Sequence, residues 1–327
     1  MSLLTYNIGE FESSQILAEE IRKVRPDNVW FLAEAEWEWR FDDVLLSALH
    51  DVNPDIKILH GSFDCSYYDD IAKKYNIERS SFIFWPTFFF NWGENCLNNE
   101  FNYKQTDNTR FDKPFVTYFG NPHLHRCHLI DNYARLNIID KGLITWNIKG
   151  YNFRFNYFDN NLIIKDDYLK LLHSYIVTEE YQRCLVDCVA EATSYVPFIT
   201  EKTARPLLMK KPFVVLGCHK YNEYLKKLGF ELYDEIIDYS FDDMPDVETR
   251  SIFYAETVRN DICNIKDYNK TYQMLLPKIE HNYNNIIRII NDKTYFPYFI
   301  SESLKKNKFK TSHCERYRYL FERTIPY

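Results

Sequence analysis

The chain has 327 residues, of which 46% are hydrophobic and 27% are charged. This balance excludes a disordered protein, and the length suits two α/β domains of ordinary size. The formal net charge is −7, but residues 1–113 carry 20 acidic and 11 basic side chains, whereas the remainder carries 27 and 29. The acidic first part disfavours a nucleic-acid partner there, while the nearly neutral second part can hold a small anion.

Short β-rich runs alternate with helical patterns in the first part of the chain. The predicted strands are residues 3–6, 28–32, 56–60 and 81–85, and the predicted helices are residues 11–24, 44–49 and 68–75. Strands that alternate with helices predict βαβ units and a parallel sheet.

The pattern is interrupted by a polar, aperiodic stretch at about residues 91–113, which we interpret as a linker. It then restarts, with predicted strands at 115–119, 143–148, 184–189 and 213–216 and predicted helices at 124–136, 166–174, 201–209 and 222–228. Gly229 stands where the last of these helices should stop. Beyond residue 247 the pattern is helical. The predicted domains are therefore 1–113, which includes the linker, and 114–327, which includes a helical C-terminal extension.

Four of the eight glycines directly follow predicted strands, namely Gly9, Gly61, Gly120 and Gly217. Glycine at such a turn allows a tight bend and a close approach of a ligand to the backbone. Ligands of open α/β sheets bind at the carboxyl ends of the strands. We therefore predict two Rossmann-like domains whose parallel sheets face a central cleft.

The eight cysteines are scattered, and no secretory leader pattern begins the chain. Reduced thiols and a cytoplasmic location are therefore expected. No segment approaches the ~20 apolar residues of a membrane span. The abundance of Tyr, Phe, Asn, Lys and Ile is typical of an AT-rich genome and suggests a viral source.

The stretch from Cys184 to Gly217 carries the strongest chemical signal. A predicted strand leads into a loop that contains Glu191, and a helix follows with Thr200 as its predicted N-cap. A helix start suits phosphate because its free N–H groups and dipole present positive charge. Lys202 and Arg205 lie one turn apart and could bind phosphate, and Glu201 could accept hydrogen bonds from sugar hydroxyls. The alternative is a surface helix with a solvated Glu–Lys pair.

Three blocks in this order resemble a known family. The first is Phe115-Val-Thr-Tyr-Phe-Gly-Asn-Pro-His-Leu-His-Arg126 with Ile138-Ile-Asp-Lys-Gly142. The second is Thr200-Glu-Lys-Thr-Ala-Arg205 with Pro212-Phe-Val-Val-Leu-Gly217, and the third is Tyr224-Leu-Lys-Lys-Leu-Gly-Phe230 with Ile237-Asp-Tyr-Ser-Phe-Asp-Asp243. Together they resemble the α1,3-fucosyltransferases and, more closely, the fucosyltransferase-like glycosyltransferases of phages and large viruses. The resemblance implies the two-domain GT-B fold.

The resemblance also implies roles for individual residues. Arg126 and Lys202 would contact the diphosphate of a nucleotide-sugar donor, and Glu201 would contact its ribose. Arg205 matches in position, and Glu191, Thr200, Gly120 and Gly217 complete the predicted donor-binding set. Pro206 stands where the fucosyltransferases carry Asn, so the identity of the sugar stays open. Inverting chemistry is implied by the resemblance.

The catalytic base should be a carboxylate of the first domain, because the acceptor hydroxyl must lose a proton. Glu34, Glu36 and Asp64 follow predicted strands and are the candidates, together with Glu10. A metal is not expected, because no carboxylate or cysteine completes a set with His123, His125 and His128. The helix start and basic side chains would neutralise the leaving diphosphate.

These observations predict a glycosyltransferase that moves a sugar from a nucleotide diphosphate to a hydroxyl acceptor such as a glycan. One alternative is a glycosyltransferase that acts on hydroxylated DNA bases, for which the basic residues of the tail (Lys305, Lys306, Lys308, Lys310, Arg316, Arg318 and Arg323) could reach a phosphate backbone. The acidic first part opposes that alternative. A non-catalytic nucleotide- or glycan-binding protein on the same scaffold is the alternative of another class.

Overall fold

The computed structural model describes residues 3–7, 13–33, 42–60, 73–77, 80–84, 110–120, 122–146, 155–157, 179–195 and 197–291. The candidate bases Glu34, Glu36 and Asp64 lie outside these residues, as do Glu10 and the basic tail. The chain divides into two compact units, Met1–Phe88 together with Asn291–Tyr327, and Phe89–Ile290.

The first unit contains a four-stranded parallel sheet. Its strands are β1 (Leu3–Asn7), β2 (Asn28–Ala33), β3 (Asp55–His60) and β4 (Ser80–Phe84), and they lie side by side in the order β1-β2-β3-β4. Each strand pairs in parallel with the next one along the chain, as in the register of Leu3 with Asn28 and of Asn28 with Asp55. The parallel sheet predicted for this part of the chain is therefore confirmed.

Two helices of the first unit begin at side-chain caps. Helix α1 (Ser14–Val24) starts where the Ser13 hydroxyl accepts a hydrogen bond from the Ile16 N–H group, and α2 (Asp43–Val52) starts where Asp42 accepts one from Leu45. The apolar faces of both helices form one buried cluster with the sheet residues Val29, Phe31 and Ile56. The helix residues of this cluster are Leu17, Ala18, Ile21, Leu45, Leu46, Ala48 and Leu49. This core fixes which faces of the two helices are buried.

The second unit contains another parallel sheet, formed by β5 (Lys113–Tyr118), β6 (Leu143–Thr145), β7 (Cys184–Ala190) and β8 (Phe213–Leu216). Its helices are α3 (Leu124–Arg135), α4 (Glu179–Gln182), α5 (Glu201–Leu208), α6 (Tyr221–Lys227), α7 (Val247–Thr257) and α8 (Tyr268–Asn291). Strand β7 is buried along its whole length, as expected for a central parallel strand. Helix α6 stops as predicted, because Gly229 adopts a left-handed φ of +83° just beyond it.

The two sheets differ in strand order. In the first sheet each described strand lies beside the one that precedes it in the sequence. The second sheet has the order β6-β5-β7-β8. The chain therefore moves from β5 to one side for β6 and returns to the other side for β7. The loops that leave the carboxyl ends of β5 and β7 diverge at this reversal, and open α/β sheets bind ligands at such a crevice. We therefore expect the ligand-binding edge of this sheet at the loops after β5 and β7.

The helical segment after residue 247 packs on the second sheet. In α7 the Ser251 hydroxyl lies 3.5 Å from the His125 carbonyl of α3, and the Tyr254 hydroxyl donates to the Val214 carbonyl of β8 at 3.1 Å. A π-helical turn, Val258–Ile262, follows α7. None of the described helices is long and apolar enough to cross a membrane. The helical pattern predicted beyond residue 247 is present in α7 and α8.

Two of the strand-following glycines have different steric surroundings. A Cβ atom at Gly217 would overlap the ring of Tyr221, which is fully buried, whereas a Cβ atom at Gly120 would meet no described atom within 4 Å. We expect Gly217→Ala to lower the free energy of unfolding by about 1–3 kcal/mol, because the packed ring cannot move without strain. Gly120→Ala should stay within about 0.5 kcal/mol of the wild type. Urea denaturation measures both, and equal effects of the two substitutions would contradict this account.

Candidate functional site

The candidate site lies at the carboxyl edge of β5 and β7, where α3 and α5 begin. The prediction that Thr200 caps α5 is confirmed, since its extended backbone precedes the helix and its Oγ1 accepts a hydrogen bond from the Lys202 N–H at 3.2 Å. The Thr200 hydroxyl at the same time donates to the Glu191 carboxylate at 2.6 Å. The start of α5 is therefore tied to the end of β7 through one side chain.

Glu191 is a fully buried carboxylate that collects hydrogen bonds from four residues. Its Oε1 accepts from the Thr200 N–H at 3.0 Å, from the Thr203 hydroxyl at 2.7 Å and from the Tyr221 hydroxyl at 3.3 Å. Its Oε2 accepts from its neighbour Ala192 at 2.7 Å as well as from the Thr200 hydroxyl. A buried charge is tolerated when it is bonded in this way. Glu191 thus connects β7, α5 and α6.

The backbone carbonyl of Glu191 receives two more donors from α3. His125 Nε2 and Arg126 Nη2 each lie 2.7 Å from this oxygen. Because a carbonyl can only accept, the His125 ring must carry its proton on Nε2. Burial, followed by the charge of Arg126, lowers the pKa of His125 well below its ordinary value, so the imidazole is neutral near pH 7. The first turn of α3 is thereby fixed to the end of β7.

The two predicted phosphate-binding cations are close to these helix starts. Arg126 is the third residue of α3 and is 2% exposed. Lys202 is the second residue of α5, and its ammonium lies 2.7 Å from Oε1 of Glu201. The two side chains of this pair are 17% and 11% exposed. Both cations therefore lie close to the partial positive charge of a helix N-terminus.

Arg205 makes contacts of another kind. Its guanidinium binds the Asp187 carboxylate of β7 with two hydrogen bonds, from Nε at 3.0 Å and from Nη2 at 3.2 Å, and both side chains are buried. The rings of Tyr118 and Tyr181 lie 4.7 and 5.3 Å from the guanidinium carbon. Burial opposes the charge of Arg205, but Asp187, Tyr181 and Tyr118 together outweigh it and raise the pKa of Arg205. These contacts hold α5 on the sheet, and donor binding by Arg205 stays a prediction.

Several residues of the site carry no signal that sequence reasoning detected. Arg250 of α7 is 1% exposed, and it donates to the carbonyls of Gly217 after β8 at 3.1 Å and of Ser194 after β7 at 3.3 Å. Arg250 thereby joins the loop after β7 to the loop after β8, and both loops adjoin predicted donor-binding residues. No local sequence pattern marked Asp187, which binds Arg205. The same is true of Tyr221, which donates to Glu191.

Two of the histidines considered for metal binding have other partners. His123 stacks on His125 with ring centroids 6.0 Å apart, and His125 already binds the Glu191 carbonyl. Across the described parts of the chain, no group of three His, Cys, Asp or Glu side chains could hold a metal ion.

Asp242 is buried against the first turn of α6. Its Oδ2 accepts a hydrogen bond from the Asn222 N–H at 2.8 Å, while the Asn222 amide nitrogen donates to the Val215 carbonyl at 3.0 Å. Oδ1 of Asp242 and Oδ1 of Asn222 are both buried, with no hydrogen-bond partner among the described residues. Burial raises the pKa of Asp242 to about 6.

Comparisons with known proteins give distant likenesses. No protein-family model and no curated protein sequence matches the chain. Among solved structures, the chain is similar to a DNA-modifying β-glucosyltransferase crystallised with and without uridine diphosphoglucose (TM-score 0.38, 8% identity, 88% of this chain and 99% of that chain). It is also similar to an α1,3-fucosyltransferase (TM-score 0.33, 12% identity, 88% of this chain and 90% of that chain). At these TM-scores neither likeness defines the activity of this chain.

The Glu191 network predicts a large effect of a small change. Glu191→Gln keeps the shape of the side chain but replaces one acceptor oxygen with an NH₂ group, which cannot accept the hydrogen bonds found there. We expect the free energy of unfolding to fall by about 2–3 kcal/mol in urea denaturation, because buried donors lose a charged acceptor. Glu179→Gln, at an exposed position of α4, is the control and should be neutral. Equal stability of the two variants would contradict the proposed network.

Asp242 predicts a pH dependence of stability. Its pKa is about 6 in the folded state and about 3.9 in an unfolded chain, so the folded state binds the proton more tightly. The resulting stabilisation is complete below about pH 4 and is lost as the pH rises through 6. Relative to Asp242→Asn, the wild type should therefore lose roughly 2–3 kcal/mol between pH 4 and pH 7, at about 1.4 kcal/mol per pKa unit.

The measurement is urea denaturation of both proteins at several pH values. Exposed carboxylates such as Asp246, whose pKa is lowered by the backbone N–H of Thr249, titrate in both proteins and cancel in the difference. A difference that does not change with pH would show that Asp242 is ionised throughout this range.

Proposed function

We propose that this protein is a glycosyltransferase whose second unit binds the diphosphate of a nucleotide-sugar donor at the loops after β5 and β7. The observation that supports the proposal is the position of Arg126 and Lys202. Each cation stands in the first turn of a helix, and those two helices follow the strands that flank the reversal of strand order. The first two of the sequence blocks quoted above contain these same residues.

The electrostatics of this edge suit a leaving diphosphate. A helix N-terminus carries roughly half a positive charge, and two such ends stand here beside two cationic side chains. The Glu191 carboxylate and carbonyl fix both helix starts before any ligand arrives. Donors that are already in place stabilise the negative charge of a transition state without further reorganisation.

Glu201 and Lys202 would exchange partners when the donor binds. In the free protein the ammonium is neutralised by the neighbouring carboxylate at 2.7 Å. A phosphate oxygen that takes over the ammonium would leave the Glu201 carboxylate to accept hydrogen bonds from ribose or sugar hydroxyls. The pair would thus recognise both the charged and the hydroxyl-bearing parts of the donor.

In the proposed reaction an acceptor hydroxyl attacks the anomeric carbon of the sugar. The bond from that carbon to the phosphate oxygen breaks, and the nucleotide diphosphate leaves with the electron pair. Glu34, Glu36 and Asp64 stay the predicted bases that take the hydroxyl proton, with inversion at the anomeric carbon. The positive charge at the two helix starts would serve in place of a metal ion.

Substitution of Lys202 tests the donor site, and the chain offers a matched control. Lys210 is also a half-buried lysine, and its ammonium lies 2.8 Å from Glu280. We expect Lys202→Gln to weaken the binding of UDP or GDP by about 10- to 100-fold, because it removes one charge-assisted hydrogen bond to phosphate. Lys210→Gln should bind as the wild type does.

Thermal shift with both nucleotides, in the presence and absence of EDTA, measures this effect. A ligand at 100 times its Kd stabilises the folded state by about 2.7 kcal/mol, so a loss of affinity is visible as a smaller shift. Unchanged binding by Lys202→Gln would contradict the proposed site. Hydrolysis of a nucleotide sugar without acceptor would distinguish a transferase from a protein that only binds it.

A further inference from the structure

Arg250 of α7 is a buried cation that binds the backbone of three separate segments. Its Nε donates to the Gly217 carbonyl at 3.1 Å, and its Nη2 donates to the Ser194 carbonyl at 3.3 Å. Its Nη1 donates to the carbonyls of Met244 and Pro245, the latter at 3.0 Å. One guanidinium therefore holds the loop after β7, the loop after β8 and the residues that lead into α7.

The charge of Arg250 has no carboxylate in contact with it among the described residues, since its hydrogen bonds to them end on carbonyl oxygens. Burial lowers the pKa of Arg250, and the charges of Cys218, Asp242 and Asp246 oppose this effect only in part. A buried charge often adds no stability over a well-packed apolar side chain. What the guanidinium does provide is geometry, because its planar fork of N–H groups fits several acceptors at fixed angles.

The contact with Ser194 fixes the middle of the loop that leads from β7 to α5. The two ends of this loop are already joined, because the Glu191 carboxylate accepts hydrogen bonds from the Thr200 N–H at 3.0 Å and from the Thr200 hydroxyl at 2.6 Å. Lys202, the predicted phosphate-binding cation, follows two residues after this cap. The loop that precedes Lys202 is thus attached at both ends and in its middle.

The contact with Gly217 attaches the loop after β8 to the same guanidinium. A ring that packs against Gly217 belongs to Tyr221, whose hydroxyl donates to the Glu191 carboxylate at 3.3 Å. The next residue of α7, Ser251, places its hydroxyl 3.5 Å from the His125 carbonyl in the first turn of α3. This part of α7 therefore contacts every segment that surrounds the two predicted phosphate-binding cations.

We propose that Arg250 is a positioning residue of the donor site, which holds the loops after β7 and β8 in the arrangement that binds a nucleotide diphosphate. This inference rests on the proposed function of the second unit. Arg250 does not itself touch the donor, because it is 1% exposed and is bonded to carbonyls. Its contribution comes from the shape of the guanidinium, which reaches both loops at once. Loops that are already ordered lose less conformational entropy when a ligand binds.

Isothermal titration calorimetry with UDP and GDP on the full chain tests the proposal. Arg250→Lys keeps the charge, but its single ammonium cannot reach both loops, and Arg250→Gln removes the charge as well. We expect both variants to bind the nucleotides about 5- to 20-fold more weakly than the wild type does, because the loops must be ordered on binding. The titrations are made at a temperature at which circular dichroism shows each variant to be folded.

Arg135→Gln is the matched control, because Arg135 also connects α3 with α7. Its Nη2 lies 3.5 Å from Oε1 of Glu256. Arg135 lies in the last turn of α3, nine residues or roughly 14 Å along the helix from Arg126. The loss of this half-exposed ion pair should leave both nucleotide affinities within about twofold of those of the wild type.

The outcomes separate the shape of Arg250 from its charge and from a purely structural role. Wild-type affinity in Arg250→Lys overturns the proposal, and so do unchanged affinities in both Arg250 variants or equal weakening by Arg135→Gln. Weaker binding by Lys202→Gln together with unchanged binding by both Arg250 variants overturns this inference alone. A wild type that binds neither nucleotide overturns the proposed function as well.

If neither Arg250 variant folds, amide hydrogen exchange of the wild type decides. Saturation with UDP or GDP should slow exchange in α7 (Val247–Thr257) as well as in the peptide that contains Thr200 and Lys202, because Arg250 couples the two segments. Slower exchange in that peptide with unchanged exchange in α7 overturns the proposal.

Discussion

The second unit depends on one buried acidic residue at the end of its central strand. Through its carboxylate, Glu191 holds the Thr200 cap, the Thr203 hydroxyl and the Tyr221 ring, and through its carbonyl it holds the first turn of α3. Four elements therefore meet at a single residue. Because a charge in the interior is stable only while its donors stay in place, this residue forces the two helix starts into a fixed relation. The position of Arg126 relative to Lys202 is a consequence of that constraint.

Strand order then decides where such an edge can bind a ligand. Both described sheets are parallel, but a reversal of direction occurs between β5 and β7 of the second one. The loops after β5 and β7 diverge at that point, and the Glu191 network holds two helix starts and two cations beside it. The candidate site thus depends on the topology, which places the two loops, and on one side chain, which holds the helix starts beside them.

The sequence predicted the features that depend on neighbouring residues. Thr200 as a cap and Gly229 as a helix stop follow from local backbone chemistry, and the alternation of strands and helices follows from hydrophobic periodicity. It did not predict the partners of buried charges. Arg250 meets carbonyls 33 and 56 positions away, and Arg205 meets a carboxylate 18 positions away. Such contacts are set by the packing of elements, so no spacing along the chain marks them. Glu191 was predicted to touch the donor, and nothing local indicated that its oxygens are engaged inside the protein.

Arg250 lies in α7, a helix that contains none of the predicted donor-binding residues. It nevertheless helps to hold the candidate site in place. Its guanidinium is bonded to the loops that follow β7 and β8, and the neighbouring Ser251 lies against the first turn of α3. Detachment of α7 would therefore free three of the segments that border the ligand-binding edge in one step. We therefore expect this part of the protein to open cooperatively, because the contacts that hold α7 on the sheet also hold these three segments in place. The C-terminal helical segment is in this sense a component of the site, although its residues lie far from it along the chain.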